Sequence, residues 1–188
     1  MTFGQSDNKI GVPDVTSVIT AGNIGTPGNA QLPSVTTWGQ LGQITEAWDD
    51  VTYGVAKFIL LAVAPTITVT PGLLYQWDTN YQVTVIPAGS SSKNSGVAVA
   101  VAINTVASNA TQTQYTWFLI QGQYAVLKTA VTIPPQSKVY MSATAGRFYS
   151  TASAGKQILG ARTNNTATVT STTSSVLVYL NYSAMEGA

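Results

Sequence analysis

The chain's capacity for acid–base and nucleophilic chemistry rests on seven carboxylates: Asp7, Asp14, Glu46, Asp49, Asp50, Asp78 and Glu186. Histidine and cysteine are both absent. Without them there is no imidazole base, no Ser-His-Asp triad, no thiolate nucleophile and no His or Cys metal ligand. Glycoside hydrolysis needs two carboxyl groups placed across a cleft. Only Asp49 or Asp50 with Asp78 could form such a pair, and no motif links them. The expectation is a non-enzymatic protein with no catalytic residue, no cofactor and no metal site.

Several short motifs look chemical and have plainer readings. Ser90 and Lys93 stand in an S-x-x-K spacing, which does chemistry only at the start of a helix. Here Gly89, Asn94, Ser95 and Gly96 surround them and predict a loop. Asp78-Thr79-Asn80 has the opening of a calcium loop but none of the later ligands, so it reads as a turn. Asn109, Asn164 and Asn181 begin N-x-S/T triplets, which a chain so rich in Asn and Thr produces by composition. Trp77, Tyr81, Tyr115, Trp117, Tyr124, Tyr140, Phe148 and Tyr149 could stack on sugar rings, but at strand spacing they read first as core or interface.

The elements that would position these residues are strands. Residues 55–63 (VAKFILLAV) are apolar on both alternating faces, as in a strand covered on both sides. Pro71-Gly72 predicts a turn, across which residues 67–70 and 73–77 would pair. Residues 81–86 and 97–103 alternate with period two, the latter putting Val on one face and Ala on the other. Residues 115–121 form an aromatic and β-branched run, interrupted at Gly122 and resumed over 124–128; glycine there predicts a bulge or bend. Shorter strands follow over 138–143, 147–150, 157–161 and 176–182. Residues 44–53 are ambiguous: Thr45 and Glu46 could open a short helix. Turn signals every 8–12 residues with short strands between them point to an all-β sandwich or barrel of antiparallel strands.

The succession from Tyr115, Trp117 and Ile120 through Gly122 and Ala125-Val126-Leu127-Lys128 resembles a known family. It continues with Val139-Tyr140, Thr144-Ala145-Gly146, Ala154-Gly155 and residues 158–161, and ends on 176–180. With residues 56–63 and 96–102 upstream, this order is similar to that of the head decoration, or cement, proteins of tailed phages. The resemblance implies a virion structural protein on the exterior of the phage head that binds the major capsid protein and clamps neighbouring capsomers. It also implies a homo-oligomer, a trimer over a local threefold axis. The alternatives are a tail-fibre or adhesin module binding a host glycan, and a capsid subunit that builds a shell by itself.

Composition sets limits on partners. Charged residues are 8% of the 188, against about 25% in ordinary soluble domains. Net charge is +1, which makes no electrostatic case for nucleic acid or an anionic membrane. The longest apolar run has seven residues, 58–64, where a spanning helix needs about 20. No basic start or apolar core of a signal peptide opens the chain, so synthesis in the host cytoplasm is expected.

Residues 1–43 differ from the rest. Gly and Pro recur, no period is sustained, and isolated hydrophobes are scattered too widely to build a core. This predicts an extended N-terminal arm ahead of a β domain over 44–188. Phe3, Ile10, Val18, Ile19, Ile24, Leu32 and Trp38 are the candidate contacts to capsid or neighbouring subunits. A tail packed on its own domain is the alternative.

Overall fold

In a computed structural model, the structure describes residues 3–5, 15–16, 18–20, 40–49, 54–89 and 96–186. The described residues form an all-β, antiparallel curled sheet that makes a half-barrel, with no helix among them. Twelve strands follow in order. They are β1 (Phe3–Gln5), β2 (Val18–Thr20), β3 (Ile44–Asp49), β4 (Gly54–Val63), β5 (Leu74–Trp77) and β6 (Val83–Val85), then β7 (Val99–Ala102), β8 (Gln114–Leu127), β9 (Lys138–Met141), β10 (Phe148–Tyr149), β11 (Gln157–Thr163) and β12 (Ser175–Met185). The main path runs β1-β3-β4-β8-β12-β11-β9-β10.

Strand β8 is the spine. Along one edge it pairs with β4, from Val63↔Gln114 to Lys57↔Gln121. Along the other it takes three partners in succession: β2 at residues 114–116, β7 at 118–119 and β12 at 121–127. The change of partner coincides with a bulge. Lys57 faces Gln121 while Phe58 faces Leu119, so Ile120 is the extra residue. Gly122 follows with φ +123°, and a Cβ there would approach Ala56 Cβ to 3.0 Å. The glycine interruption expected from sequence is thus a bulge within one long strand.

The two faces of the β4–β8 pair bury different residues. On one, Phe58 and Leu60 join Trp117, Leu119, Val126, Val178, Leu180 and Met185 in the larger core. On the other, Ile59, Leu61 and Val63 join Phe118, Ile120, Tyr75 and Val83. The small sheet β6-β5-β7 closes this second face, with Tyr75 meeting Phe118 edge-on at 5.4 Å between ring centres. Val99 and Val101 of β7 go to the first core, Ala100 and Ala102 to the second. Small side chains there let the covering sheet approach closely. The doubly apolar run 58–63 is therefore covered inside one chain, and by itself it calls for no second subunit.

Two local expectations are corrected. The ambiguous segment at Ile44–Asp49 is strand β3, with alternating exposure, because Thr45, Ala47 and Asp49 all turn inward. Residues 67–70 do not pair across Pro71-Gly72. Val69 bridges Val106 instead, and β5 pairs with β6 and β7. The turn itself is present, with Gly72 at φ +81° and Leu73 N donating to Thr70 O. It redirects the chain without closing a hairpin, because Leu73 and Leu74 are drawn into the sheet beside Ala102 and Gly146.

Candidate functional site

The acids that bear on catalysis are dispersed and structurally employed. Glu46 Oε1 lies 3.2 Å from Lys57 Nζ. Asp78 Oδ1 accepts from the backbone N–H groups of Asn80 and Gln82, both at 2.9 Å, which closes the β5–β6 turn. Glu186 Oε2 accepts from Gln157 N at 3.3 Å. Asp49 is buried at the end of β3. Asp7, Asp14, Asp50, Ser90 and Lys93 lie outside the described residues. Among the described residues no three acids gather in a metal-binding group.

Of the candidate contact residues, Phe3 stands in β1, which pairs with β3 at Phe3↔Asp49. Val18 and Ile19 stand in β2, paired with Thr116 and Tyr115 of β8. Val18 is exposed; Ile19 is buried in the larger core together with Val15. Asn104, inside the polar stretch before β8, donates from Nδ2 to Val15 O at 2.9 Å and to Thr116 Oγ1 at 2.8 Å. Ile10, Ile24, Leu32 and Trp38 lie outside the described residues. Of the aromatics weighed for sugar stacking, Trp117, Tyr140 and Phe148 are buried, while Trp77, Tyr81, Tyr115, Tyr124 and Tyr149 are partly covered.

The open surface lies elsewhere. The covering sheet β6-β5-β7 closes the second face over Ile59 to Val63, and the same face continues beyond it uncovered. Residues directly opposite on antiparallel strands share a face, so Ile44/Ile59, Glu46/Lys57 and Trp48/Val55 form one row of pairs across β3 and β4. Ile44 is 48% exposed, Trp48 42% and Val55 47%. Tyr182, 53% exposed, stands at the same row, with Lys57 Nζ 5.9 Å from its ring centre. The hydrogen bond to Glu46, the neighbouring Tyr182 and the Glu46 charge together raise the Lys57 pKa above its ordinary value. Glu46 and Lys57 cancel each other's charge, so the patch is neutral and apolar at its ends. Sequence reasoning missed it. The signal available was the alternation of Ile44, Glu46 and Trp48, readable once residues 44–49 are taken as a strand.

Tyr182 is held by an irregularity. Between β11 and β12, Leu159 faces Ala184 and Ala161 faces Leu180, so residues 181–183 bulge opposite Gly160. Tyr182 takes φ +45° there, a left-handed conformation that costs a residue with a Cβ about 1–2 kcal/mol. Such strain persists only where the surroundings impose it. At the seam between the bulge, the open row and the covering sheet lies a cavity of about 150 Å³. Ile44, Ile59, Trp77 and Ile120 form apolar wall, and Tyr182 and Ser183 contribute from the bulge. The Ser183 Oγ is buried without a hydrogen-bond partner among the described residues. A smaller recess of about 60 Å³ lies by Asp49, Gly122 and Tyr179. Comparison with family models, with curated proteins and with solved structures gives no match for this chain.

Proposed function

We propose that this protein works by surface contact and not by catalysis, as a decoration protein on the exterior of a phage head that grips the major capsid protein and stabilises neighbouring capsomers. The observation that carries the reading is the neutral, apolar row Ile44, Trp48, Val55 and Tyr182, which gathers four of the six exposed large hydrophobic residues among those described on one face. Monomeric proteins rarely leave clustered large side chains in water unless something covers them. Exposed aromatics flanked by a single ion pair fit the composition of protein–protein contacts, where Trp and Tyr are enriched and charge is depleted. The family resemblance of the stretch from residue 115 onward supplies the kind of partner, and it suggests a homotrimer as the unit that docks. Neither nucleic acid nor a membrane is a partner in this reading.

The test is co-sedimentation of the purified protein with heads of its phage that lack it, using wild type and Trp48→Asp/Val55→Asp. The variant should keep the wild-type circular dichroism spectrum and thermal midpoint, yet bind heads at least tenfold more weakly. Equal binding by both proteins would remove this face from the contact. No binding by wild type would overturn the decoration reading. Light scattering on the same samples reads the oligomer directly.

A further inference from the structure

We infer that the outer face of the sheet carries a binding strip for an acidic sugar, a short saccharide with carboxylate groups. The strip is a single register row across four neighbouring strands. Lys138 on β9 faces Arg162 on β11. Arg162 faces Tyr179 on β12, and Tyr179 faces Gln123 on β8. Residues directly opposite one another share a face. Their neighbours Val139, Ala161 and Val178 turn the other way, into the larger core. All four side chains therefore stand outward, with Lys138 and Arg162 exposed and Tyr179 and Gln123 half-buried. The two cations are the feature that needs a partner. Like charges directly opposite on antiparallel strands are destabilising. Elsewhere this charge-poor chain employs its cations: Lys57 pairs with Glu46, and Lys128 and Arg147 donate to backbone carbonyls. The side chains of Lys138 and Arg162 have no ion-pair or hydrogen-bond partner among the described residues. A carboxylate seated between them would meet a planar guanidinium fork and an ammonium, with charge-assisted hydrogen bonds to both.

The rest of the row favours a sugar as the carrier of that carboxylate. The Tyr179 ring offers apolar surface to the C–H face of a pyranose, directly beside Arg162. Asn164 Nδ2 donates to Gln123 Oε1 at 2.9 Å, which orients both amides. Gln123 Nε2 and Asn164 Oδ1 are then left as a donor and an acceptor for ring hydroxyls. A peptide added to a sheet needs a strand edge, and this row runs across the strands on the sheet's face. A nucleic acid needs many phosphate contacts, and the row supplies two cations. Three steps between strands, at roughly 4.8 Å each, give the row a length of about 14 Å, enough for a short oligosaccharide. Strands β8 and β12 separate both cations from the apolar row on β3 and β4, so the assignment does not rest on the decoration reading.

The isolated protein is titrated with trigalacturonate, with its methyl ester, and with hexaglutamate, followed by calorimetry and by shifts of the amide resonances of Gln123, Arg162 and Tyr179. The ester keeps the sugar and loses the charge; hexaglutamate keeps carboxylates and loses the sugar. Trigalacturonate should bind saturably and move those three resonances. It should bind at least about tenfold tighter than the ester, the range a hydrogen bond to a charged group supplies. It should also bind at least about fivefold tighter than hexaglutamate, through the ring and amide contacts. Arg162→Gln and Lys138→Gln, both at exposed positions, should each bring the acid and ester affinities closer together. Tyr179→Leu should weaken acid and ester alike. The circular dichroism spectrum of each variant confirms that it is folded. Absence of trigalacturonate binding, equal binding of the ester, or a preference for the acid that survives both cation substitutions would each overturn the site. Equal or tighter binding of hexaglutamate would make the strip a surface for acidic peptide and overturn the sugar assignment. None of these measurements uses phage heads, so this inference and the decoration reading fail separately.

Discussion

The carbonyl oxygen of Asn181 lies where Gly160 would carry a side chain: a Cβ built there would be 2.6 Å from it. Gly160 also sits at φ +75°. The bulge that carries Tyr182 and Ser183 thus depends on a residue with no Cβ on the neighbouring strand. Gly160→Ala should cost at least about 2 kcal/mol, combining the left-handed backbone penalty with displacement of a strand carbonyl. Urea unfolding checks the magnitude. The amide resonances of residues 181–184 should move most, and a uniform loss of stability with those resonances unmoved would mean that the bulge does not depend on Gly160.

Lys128 gives a pH dependence with a defined sign. Its side chain is 1% exposed, and Nζ donates to Val131 O at 2.8 Å, Thr129 O at 3.3 Å and Ser171 O at 3.5 Å. Burial pushes its pKa below the ordinary 10.5. The folded protein therefore binds fewer protons at this site than the unfolded chain over the interval below 10.5. The Lys128 contribution to stability rises with pH through that interval and is lost as pH falls through the lowered pKa. Tyr75 acts oppositely: burial raises its pKa above the ordinary 10.0, so its contribution is lost as pH rises past that value. Comparing wild type with Lys128→Met and with Tyr75→Phe separates the two. Wild type should gain on the first variant and lose ground to the second as pH rises. A pH-independent difference for Lys128→Met would refute the assignment.

Much of this fold was legible because its strongest signals are local. The doubly apolar 58–63, the Val/Ala alternation before Ile103 and the glycine at 122 each carry their geometry in the residue types. What was not legible depends on partners distant in sequence. Residues 67–70 look like half of a hairpin, yet Val69 finds Val106 instead. Ile44 to Asp49 carry two weak helix-start signals, and only pairing with β4 makes their period of two decisive. The cavity was invisible for the same reason. It draws walls from β3, β4, β5, β7, β8 and β12 and from the residue before β7. Tyr182 is placed by a register shift that no single stretch encodes.

Exposed and buried members of the same two strands should separate cleanly. Leu60→Ala should cost about 2–5 kcal/mol, since Leu60 is fully buried in the larger core and truncation leaves a cavity. Trp48→Ser should change stability by no more than about 1 kcal/mol, because much of that ring already meets water. Thermal and urea unfolding read both. A large loss for Trp48→Ser in the isolated protein would mean that the ring is structural, which would weaken its use as a contact residue.

Contact through the open row should also be insensitive to salt. Glu46 and Lys57 compensate each other, and the chain carries a net charge of +1, so few ions are displaced when the face is covered. Raising ionic strength from about 0.05 to about 0.5 M, which shortens the screening length roughly threefold, should shift head affinity by less than about threefold. A steep salt dependence would point to a charged surface instead.

The last prediction concerns Ile19. As part of an arm that contacts only neighbours, its truncation would leave the free protein unchanged. The structure instead places Ile19 and Val15 within the larger core, and β2 pairs with Thr116 and Tyr115 along the edge of β8 opposite to β4. Asn104 ties the same region down by donating to Val15 O. Burial of a large aliphatic side chain is worth roughly 1.5–3 kcal/mol, and the cavity left by truncation adds to the loss. Ile19→Ala should therefore cost about 2–4 kcal/mol in the isolated protein. Asn104→Ala should cost less but in the same place, by removing the hydrogen bonds that Asn104 donates to Val15 O and Thr116 Oγ1. Val18→Ala, one residue away and exposed, is the control and should be nearly silent in stability. Limited proteolysis gives a second readout: both core variants should be cleaved before residue 40 faster than wild type and Val18→Ala. If Ile19→Ala matches wild type in unfolding and in cleavage, the strand is not held by its own core, and the segment belongs to contacts with neighbours after all.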